Sequence, residues 1–204
     1  LGCHGVFVER MTKADVRAVV LRARRLTSLE QRRVEADALA GHLPALVRAG
    51  DTVCAYVPVG SEPGSPAMLD ALAGLGVRVL LPVALEDQTG TPLPLQWGEY
   101  RPGGLVDARF GLREPEPPWL GVDVIAAASA VLVPALAVDL AGVRLGRGAG
   151  FYDRSLSYAD PTARLIAVVR DDELVDWLPG DDHDVPMTDA LTPGRGLVAL
   201  RALD

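Results

Sequence analysis

Apolar positions recur along the chain at two periods, close to four and two, and their alternation predicts the elements. Behind Thr12, whose hydroxyl can cap a helix start, Val16, Val19, Val20 and Ala23 repeat at helical spacing and predict a helix over 13–25. Ser28 followed three positions later by Gln31 reads as a capping box, opening a second helix that runs to 41. After Gly50 and Asp51, residues 52–57 (TVCAYV) are a β-rich run stopped by Pro58, the pattern of a buried strand. Residues 66–75 (PAMLDALAGL) fit a helix with proline in its first turn, and 77–81 (VRVLL) form the next strand. Strand, helix and strand in so short a span make a right-handed βαβ unit.

From 83 to 122 the periodicity dissolves into proline, glycine and charge, with Leu95, Gln96 and Trp97 as a short strand. So long an irregular stretch is read as loops with a functional use, such as a lid or binding arm. Periodicity returns in strands at 130–133, 165–169 and 197–200. The pattern predicts an α/β fold: a three-layer α/β/α, Rossmann-like domain with a largely parallel central sheet. Ligands are expected beyond the carboxyl ends of its strands. Because Met11 stands just before the first helix start, residues 1–11 are read as an N-terminal extension and 12–204 as a single domain.

Composition narrows the function classes. With 204 residues, 49% of them hydrophobic, the chain can bury a sizeable core, which excludes global disorder. The longest apolar stretch, 122–140, is broken by Asp123, Pro134 and Asp139, so no membrane span is expected. A net charge of -7 without a sustained basic tract argues against nucleic acid as a partner. Of 20 basic residues only Lys13 is a lysine, asparagine is absent, and isoleucine occurs only at Ile125 and Ile166. That is the bias of a GC-rich genome: single arginines carry little information and the lone lysine more. Cys3 and Cys54 match no metal or redox spacing, which fits a reducing compartment, and no leader is read in residues 1–10. The expected location is the cytoplasm.

The chemistry concentrates in 133–154, VPALAVDLAGVRLGRGAGFYDR. Gly146, Gly148 and Gly150 alternate with Arg147 and Ala149, so backbone N–H groups can approach an anion, and a following helix start adds its positive end. Arg144, Arg147 and Arg154 supply forked guanidinium donors suited to phosphate oxygens. By itself such a loop is also compatible with a flexible turn. It is neither a Walker loop, having no GxxxxGKS/T and no lysine, nor the GxGxxG dinucleotide fingerprint.

The string RLGRGAGFYDR, preceded by VPALAVD, resembles the signature of the 5-formyltetrahydrofolate cyclo-ligase (methenyltetrahydrofolate synthetase) family. The likeness extends from about Thr12 to Pro193 through an initial Lys-x-x-x-Arg helix, a Tyr-x-Pro…Glu segment and a late His-Asp-Val-Pro. It implies ATP binding by Lys13, Arg17 and the loop Arg144, Leu145, Gly146, Arg147, Gly148, Ala149, Gly150, Phe151 and Tyr152. Lys13 and Arg17 are four apart and so share a helix face, which by itself is equally a solvated basic face. The likeness further implies folate contacts from Val57, Glu62, Phe110, Arg147, Gly148, Gly150 and Phe151, and Mg²⁺ ligation by Asp153 and Asp184. Arg147 and Tyr152 take the catalytic roles, with Arg147 stabilising the transferring phosphoryl group. Trp97 and Tyr100 are looser candidates, equally readable as packing.

Three positions depart from the family pattern. Phe151 stands where tyrosine is common, Ala149 where glycine or lysine is, and Thr188 where aspartate is usual, which leaves the role of Asp189 open. The resemblance implies ATP- and Mg²⁺-dependent closure of 5-formyltetrahydrofolate to 5,10-methenyltetrahydrofolate. The formyl oxygen is phosphorylated to an iminium phosphate, and ADP and phosphate are released. Two alternatives stay open: a non-catalytic folate- or nucleotide-binding regulator, and a related ATP-dependent enzyme acting on another small formylated substrate. A monomer or small homo-oligomer is expected, with folate and ATP as small-molecule partners.

Overall fold

The computed structural model describes residues 11–181 and 184–200, apart from the side chain of Phe110. The first half runs α1 (Lys13–Leu26), α2 (Leu29–His42), β1 (Thr52–Cys54), α3 (Pro66–Gly74), β2 (Arg78–Val83), β3 (Gln96–Glu99), β4 (Leu105–Asp107) and β5 (Arg113–Pro115). The second half runs β6 (Ala130–Pro134), β7 (Ala137–Asp139), β8 (Arg144–Leu145), α4 (Phe151–Ser155), β9 (Arg164–Val168), β10 (Leu174–Val175), β11 (Asp189–Thr192) and β12 (Gly196–Ala199).

The main sheet has the order β12-β11-β9-β6-β1-β2-β3. Its five inner strands are parallel, and β3 and β12 close the edges antiparallel. Side chains alternate between faces, as the two-residue strand period demands. Val53, Val79, Leu81, Leu132 and Ile166 pack on one face with Leu39, Leu43, Leu69 and Leu72 of α2, α3 and the turn after α2. Cys54, Leu80, Val131, Val133 and Ala167 pack on the other with Ile125, Leu156 and Trp97. The fold is therefore three-layered and mostly parallel, as expected. Its second outer layer is thin, made of five-residue α4, 3-10 turns and a small sheet of order β10-β7-β8. The helix α1 rests on that small sheet, with Val16 against Ala137, Leu145 and Leu178. Met11, assigned above to the extension, packs against this same cluster. Among the described residues no helix is long and apolar enough to cross a membrane.

Several sequence expectations need correction. Val19 is 58% exposed and Ala23 is exposed, so neither belongs to the inward face of α1. The inward face is Lys13, Val16, Arg17, Val20 and Arg24, a stripe at helical spacing in which three of five residues are basic. The Ser28 box is half formed: Ser28 Oγ accepts from Gln31 N at 3.1 Å, while the Gln31 amide turns to Glu35 at 2.9 Å. Residues 83–122 hold more order than loops, since β3 pairs with β2 and β4 pairs with β5 in a hairpin. The strand β11 escaped notice because its four residues, Asp-Ala-Leu-Thr, carry too short an apolar pattern.

Candidate functional site

Strand order places the site. From β1 the chain passes to β2 on one side and later to β6 on the other, so the connections diverge between β1 and β6. Such a divergence opens a crevice at the carboxyl ends of the strands. A cavity of about 420 Å³ lies there, walled by Tyr56 and Val57 after β1 and by Pro134 at the end of β6 with Ala135 and Leu136 beyond it. The stretch 83–122 completes the wall with Ala84, Glu86, Pro92, Leu95, Leu112, Arg113 and Glu114. Glu114 is buried and accepts a hydrogen bond from Ala84 N at 2.9 Å, which ties the hairpin to the end of β2.

The glycine-arginine loop forms the opposite side, through Arg144, Gly146, Arg147, Gly148, Ala149, Gly150, Phe151, Tyr152 and Asp153. Gly148 (φ 101°) and Gly150 (φ 79°) take left-handed conformations that side chains disfavour, which explains glycine at both. Arg17 braces the loop from outside, its Nε donating to Gly146 O at 2.9 Å. Arg144 is buried, pairs through Nη2 with Asp153, and lies 5.9 Å from the Tyr152 ring centroid. Arg154 does not join them, for its Nη1 folds back to Gly150 O at 3.0 Å. The helix after the loop is only five residues long, so the expected dipole contribution is small.

Charged groups of the site are paired with one another. Arg147 Nε lies 3.0 Å from Glu62 Oε1, joining the loop to the acidic residue after β1. The second oxygen of Glu62 accepts from Val59 N at 2.9 Å, which fixes the carboxylate in its own turn. Lys13 Nζ is 2.9 Å from Asp184 and 2.7 Å from Asp181. Burial alone would lower the Lys13 pKa, but the hydrogen bonds to Asp181 and Asp184 raise it. Burial likewise pushes Asp184 up, and the Asp181 N–H, Lys13 and the Arg144 charge together bring it below the usual carboxylate value. Burial, reinforced by the Glu62 charge, raises the Tyr152 phenol, so it stays a protonated donor. Its hydroxyl is buried without a hydrogen-bond partner among the described residues.

Among the described residues no group of three or more His, Cys, Asp or Glu side chains could hold a metal. Asp153 and Asp184 nonetheless fit a phosphate-bound Mg²⁺, which needs one or two carboxylates and takes its other oxygens from phosphate and water. Arg144 pairs with Asp153, and its charge also helps to lower the Asp184 pKa.

The structure thus brings together Val57, Glu62, Arg144, Gly146, Arg147, Gly148, Ala149, Gly150, Phe151, Tyr152 and Asp153 around one cavity. Lys13 and Asp184 form a neighbouring pair, and Arg17 braces the loop. Leu145 does not join: its side chain is buried against Val16, Ala137 and Leu178. The Phe110 side chain lies outside the described residues, as do Asp182, His183, His4 and Cys3. Trp97 and Tyr100 are packing residues, the first fully buried and the second bonded through its hydroxyl to Asp70 at 2.7 Å. Asp189 sits at the start of β11, away from the strands' carboxyl ends, and pairs with Arg164 at 2.9 Å. Cys54 is a free, buried thiol whose pKa burial raises, so it is unreactive.

Sequence reasoning missed Arg24, Tyr56 and Glu114 as cavity residues. For Arg24 a signal existed: it continues the Lys13, Arg17, Val20 stripe at the next helical step.

A family model described as the 5-formyltetrahydrofolate cyclo-ligase family matches residues 9–193. A 5-formyltetrahydrofolate cyclo-ligase of Mycolicibacterium smegmatis is 62% identical over 190 residues, covering 93% of this chain and 98% of that one. The protein of the same name from Escherichia coli is 30% identical over 146 residues, 71% of this chain and 79% of its own. Among solved structures, the 5,10-methenyltetrahydrofolate synthetase of Aquifex aeolicus superposes with a TM-score of 0.73 at 25% identity, covering 95% of this chain and 97% of that one. The fold is also similar to that of a Mycoplasma pneumoniae 5,10-methenyltetrahydrofolate synthetase (TM-score 0.67, 18% identity, 87% of this chain and 96% of that one).

Proposed function

The chain belongs to the 5-formyltetrahydrofolate cyclo-ligase family, an enzyme family, and we propose that it closes 5-formyltetrahydrofolate to 5,10-methenyltetrahydrofolate at the expense of ATP. The observation that carries this reading is the 3.0 Å contact between Arg147 and Glu62. It sets a phosphate-type loop and a pterin-type acid face to face across one cavity, as phosphoryl transfer from ATP to a bound folate requires.

A formyl oxygen on N5 is a poor leaving group. Moving the γ-phosphoryl group of ATP onto it breaks the bond from that phosphorus to the bridging oxygen, whose electrons leave with ADP. An iminium phosphate results; N10 attacks its carbon and gives up its proton to the phosphate or to water, and phosphate departs with the former formyl oxygen. Positioning and charge stabilisation do most of this work. Arg147, released from Glu62 by the nucleotide, stabilises the transferring group, while Glu62 accepts from the amino and ring N–H groups of the pterin. Tyr152, held protonated, donates a hydrogen bond to a substrate oxygen. Lys13 and Arg17 approach the polyphosphate from α1. Asp153 and Asp184 would hold Mg²⁺, which when bound neutralises phosphate charge.

The reading places the enzyme in the cytoplasm as a monomer or small homo-oligomer with no nucleic-acid partner. It is tested by incubating the protein with 5-formyltetrahydrofolate, Mg²⁺ and ATP and following methenyl absorbance. ATP-dependent growth of that absorbance is expected. Binding of both ligands without ADP release would instead indicate a non-catalytic regulator, and turnover of a different formylated compound a related enzyme.

A further inference from the structure

We propose that Arg24 is a substrate-recognition residue, a rigidly held donor for the 4-oxo group of the bound pterin. The inference rests on the folate reading above and deepens it.

Arg24 is only 1% exposed, yet it lines the cavity. One edge of its guanidinium is clamped: Nε and Nη2 donate to the two carboxylate oxygens of Glu173, each at 2.7 Å, and Nη2 also donates to Ala135 O at 2.6 Å. The remaining nitrogen, Nη1, is buried with no hydrogen-bond partner among the described residues. Guanidinium has five N–H donors in a fixed fork, so a group serving only structure would be expected to spend them all. A buried unpartnered donor is costly, and such groups mark sites where a ligand completes the set. Glu62 lines this cavity and, with Arg24, a small adjoining recess, so the two stand beside each other.

The edge of a pterin presents, in order, the 2-amino donor, the N3–H donor and the 4-oxo acceptor. A carboxylate such as Glu62 matches the two donors. The adjacent oxo group then needs a donor, and Arg24 is a buried cation that shares with Glu62 the lining of both the cavity and the adjoining recess. Its clamp fixes that donor before the ligand arrives, so little side-chain freedom is lost on binding.

The test compares equilibrium binding of 5-formyltetrahydrofolate and its 4-amino analogue, without ATP, by titration calorimetry. The analogue presents a donor where the ligand has an acceptor and also lacks the N3–H, so the wild-type preference reads Arg24 and Glu62 together and the variant isolates the share of Arg24. Wild type should prefer the 4-oxo form by about tenfold or more. In Arg24→Met/Glu173→Met, which removes donor and clamp together without stranding a charge, the preference should fall by about fivefold or more, the remainder being what Glu62 reads at N3. A wild-type protein that does not distinguish the two ligands overturns the proposal before any variant is made. So does a folded double variant that keeps the wild-type preference. Failure of wild type to bind either ligand is a separate result, which overturns the folate reading itself.

Discussion

Replacing Glu173 by glutamine should unfold this protein more readily than any surface change. Glu173 is buried and its carboxylate takes three hydrogen bonds, from Arg24 Nε and Nη2 at 2.7 Å each and from Arg170 N at 2.8 Å. Glutamine is nearly isosteric but neutral, so Arg24 keeps its charge facing one amide oxygen and the Ala135 carbonyl, with no anion to compensate it. Removing one member of a buried ion pair typically costs about 3–5 kcal/mol, because the surviving charge remains desolvated. For a chain of this size each kcal/mol lowers Tm by about 2–4 °C, so a fall of about 6–20 °C is expected. Differential scanning calorimetry reads Tm, and urea titration gives the free energy with the slope as a check on two-state behaviour. Arg24→Met/Glu173→Met should recover most of the loss, since replacing both charges by packed apolar groups is often neutral or better. A Glu173→Gln loss below about 1 kcal/mol, the range of an exposed pair, would refute the reasoning. A double variant no more stable than the single would do the same, by showing that packing rather than charge sets the cost.

Three further outcomes are expected. Arg147 is half exposed (50%) and pairs with Glu62 at the surface of the site, so Arg147→Ala should leave Tm nearly unchanged. Turnover should nevertheless fall by about 10²–10³-fold or more, read as methenyl absorbance, and near-normal product formation would remove Arg147 from the phosphoryl step. Lys13→Ala should raise the KM for ATP much more than that for the folate; equal effects on both would assign Lys13 a structural role. Asp184 has a folded-state pKa below 3.8, so its contacts stabilise the fold fully above that pH and are lost as pH falls through the lower, folded value. Asp184→Asn should therefore be less stable than wild type at neutral pH, with the gap closing under strong acid, whereas a gap that persists there would show that charge is not its cause. Lys13 gives the mirror case, its raised pKa keeping its contribution intact below pH 10.5 and losing it as pH rises through the folded value.

The reach of the sequence differs from element to element. Helices α1, α2 and α3 and the inner strands β1, β2, β6 and β9 were legible, because periodicity is local and each buries one face or two. The loop from Arg144 to Asp153 stood out by its alternating glycines and arginines, which alone also fit a flexible turn, and its reading came from the family resemblance. What failed did so for identifiable reasons. Val19 and Ala23 continue an apolar pattern on α1, but the helix turns its basic stripe inward, because buried carboxylate and carbonyl partners await Arg24 there. Arg154 looks like a third phosphate ligand in the string, yet the short α4 sends it back to Gly150.

By itself the sequence determined the kinds of element, their order and the chemical character of one loop, all of which depend on neighbours within a turn or a strand. The tertiary structure alone decided which charges meet. Glu62 and Arg147 are 85 residues apart and Arg24 and Glu173 are 149 apart. Sheet order brings the first pair together, by setting β1 beside β6 and opening a crevice between their carboxyl ends, and the second pair meets where α1 rests on the small sheet that β10 joins. A guanidinium's meaning depends on its surroundings. In water an arginine is one of many; buried and half-satisfied at the edge of a cavity, its unused donor is a demand for a ligand.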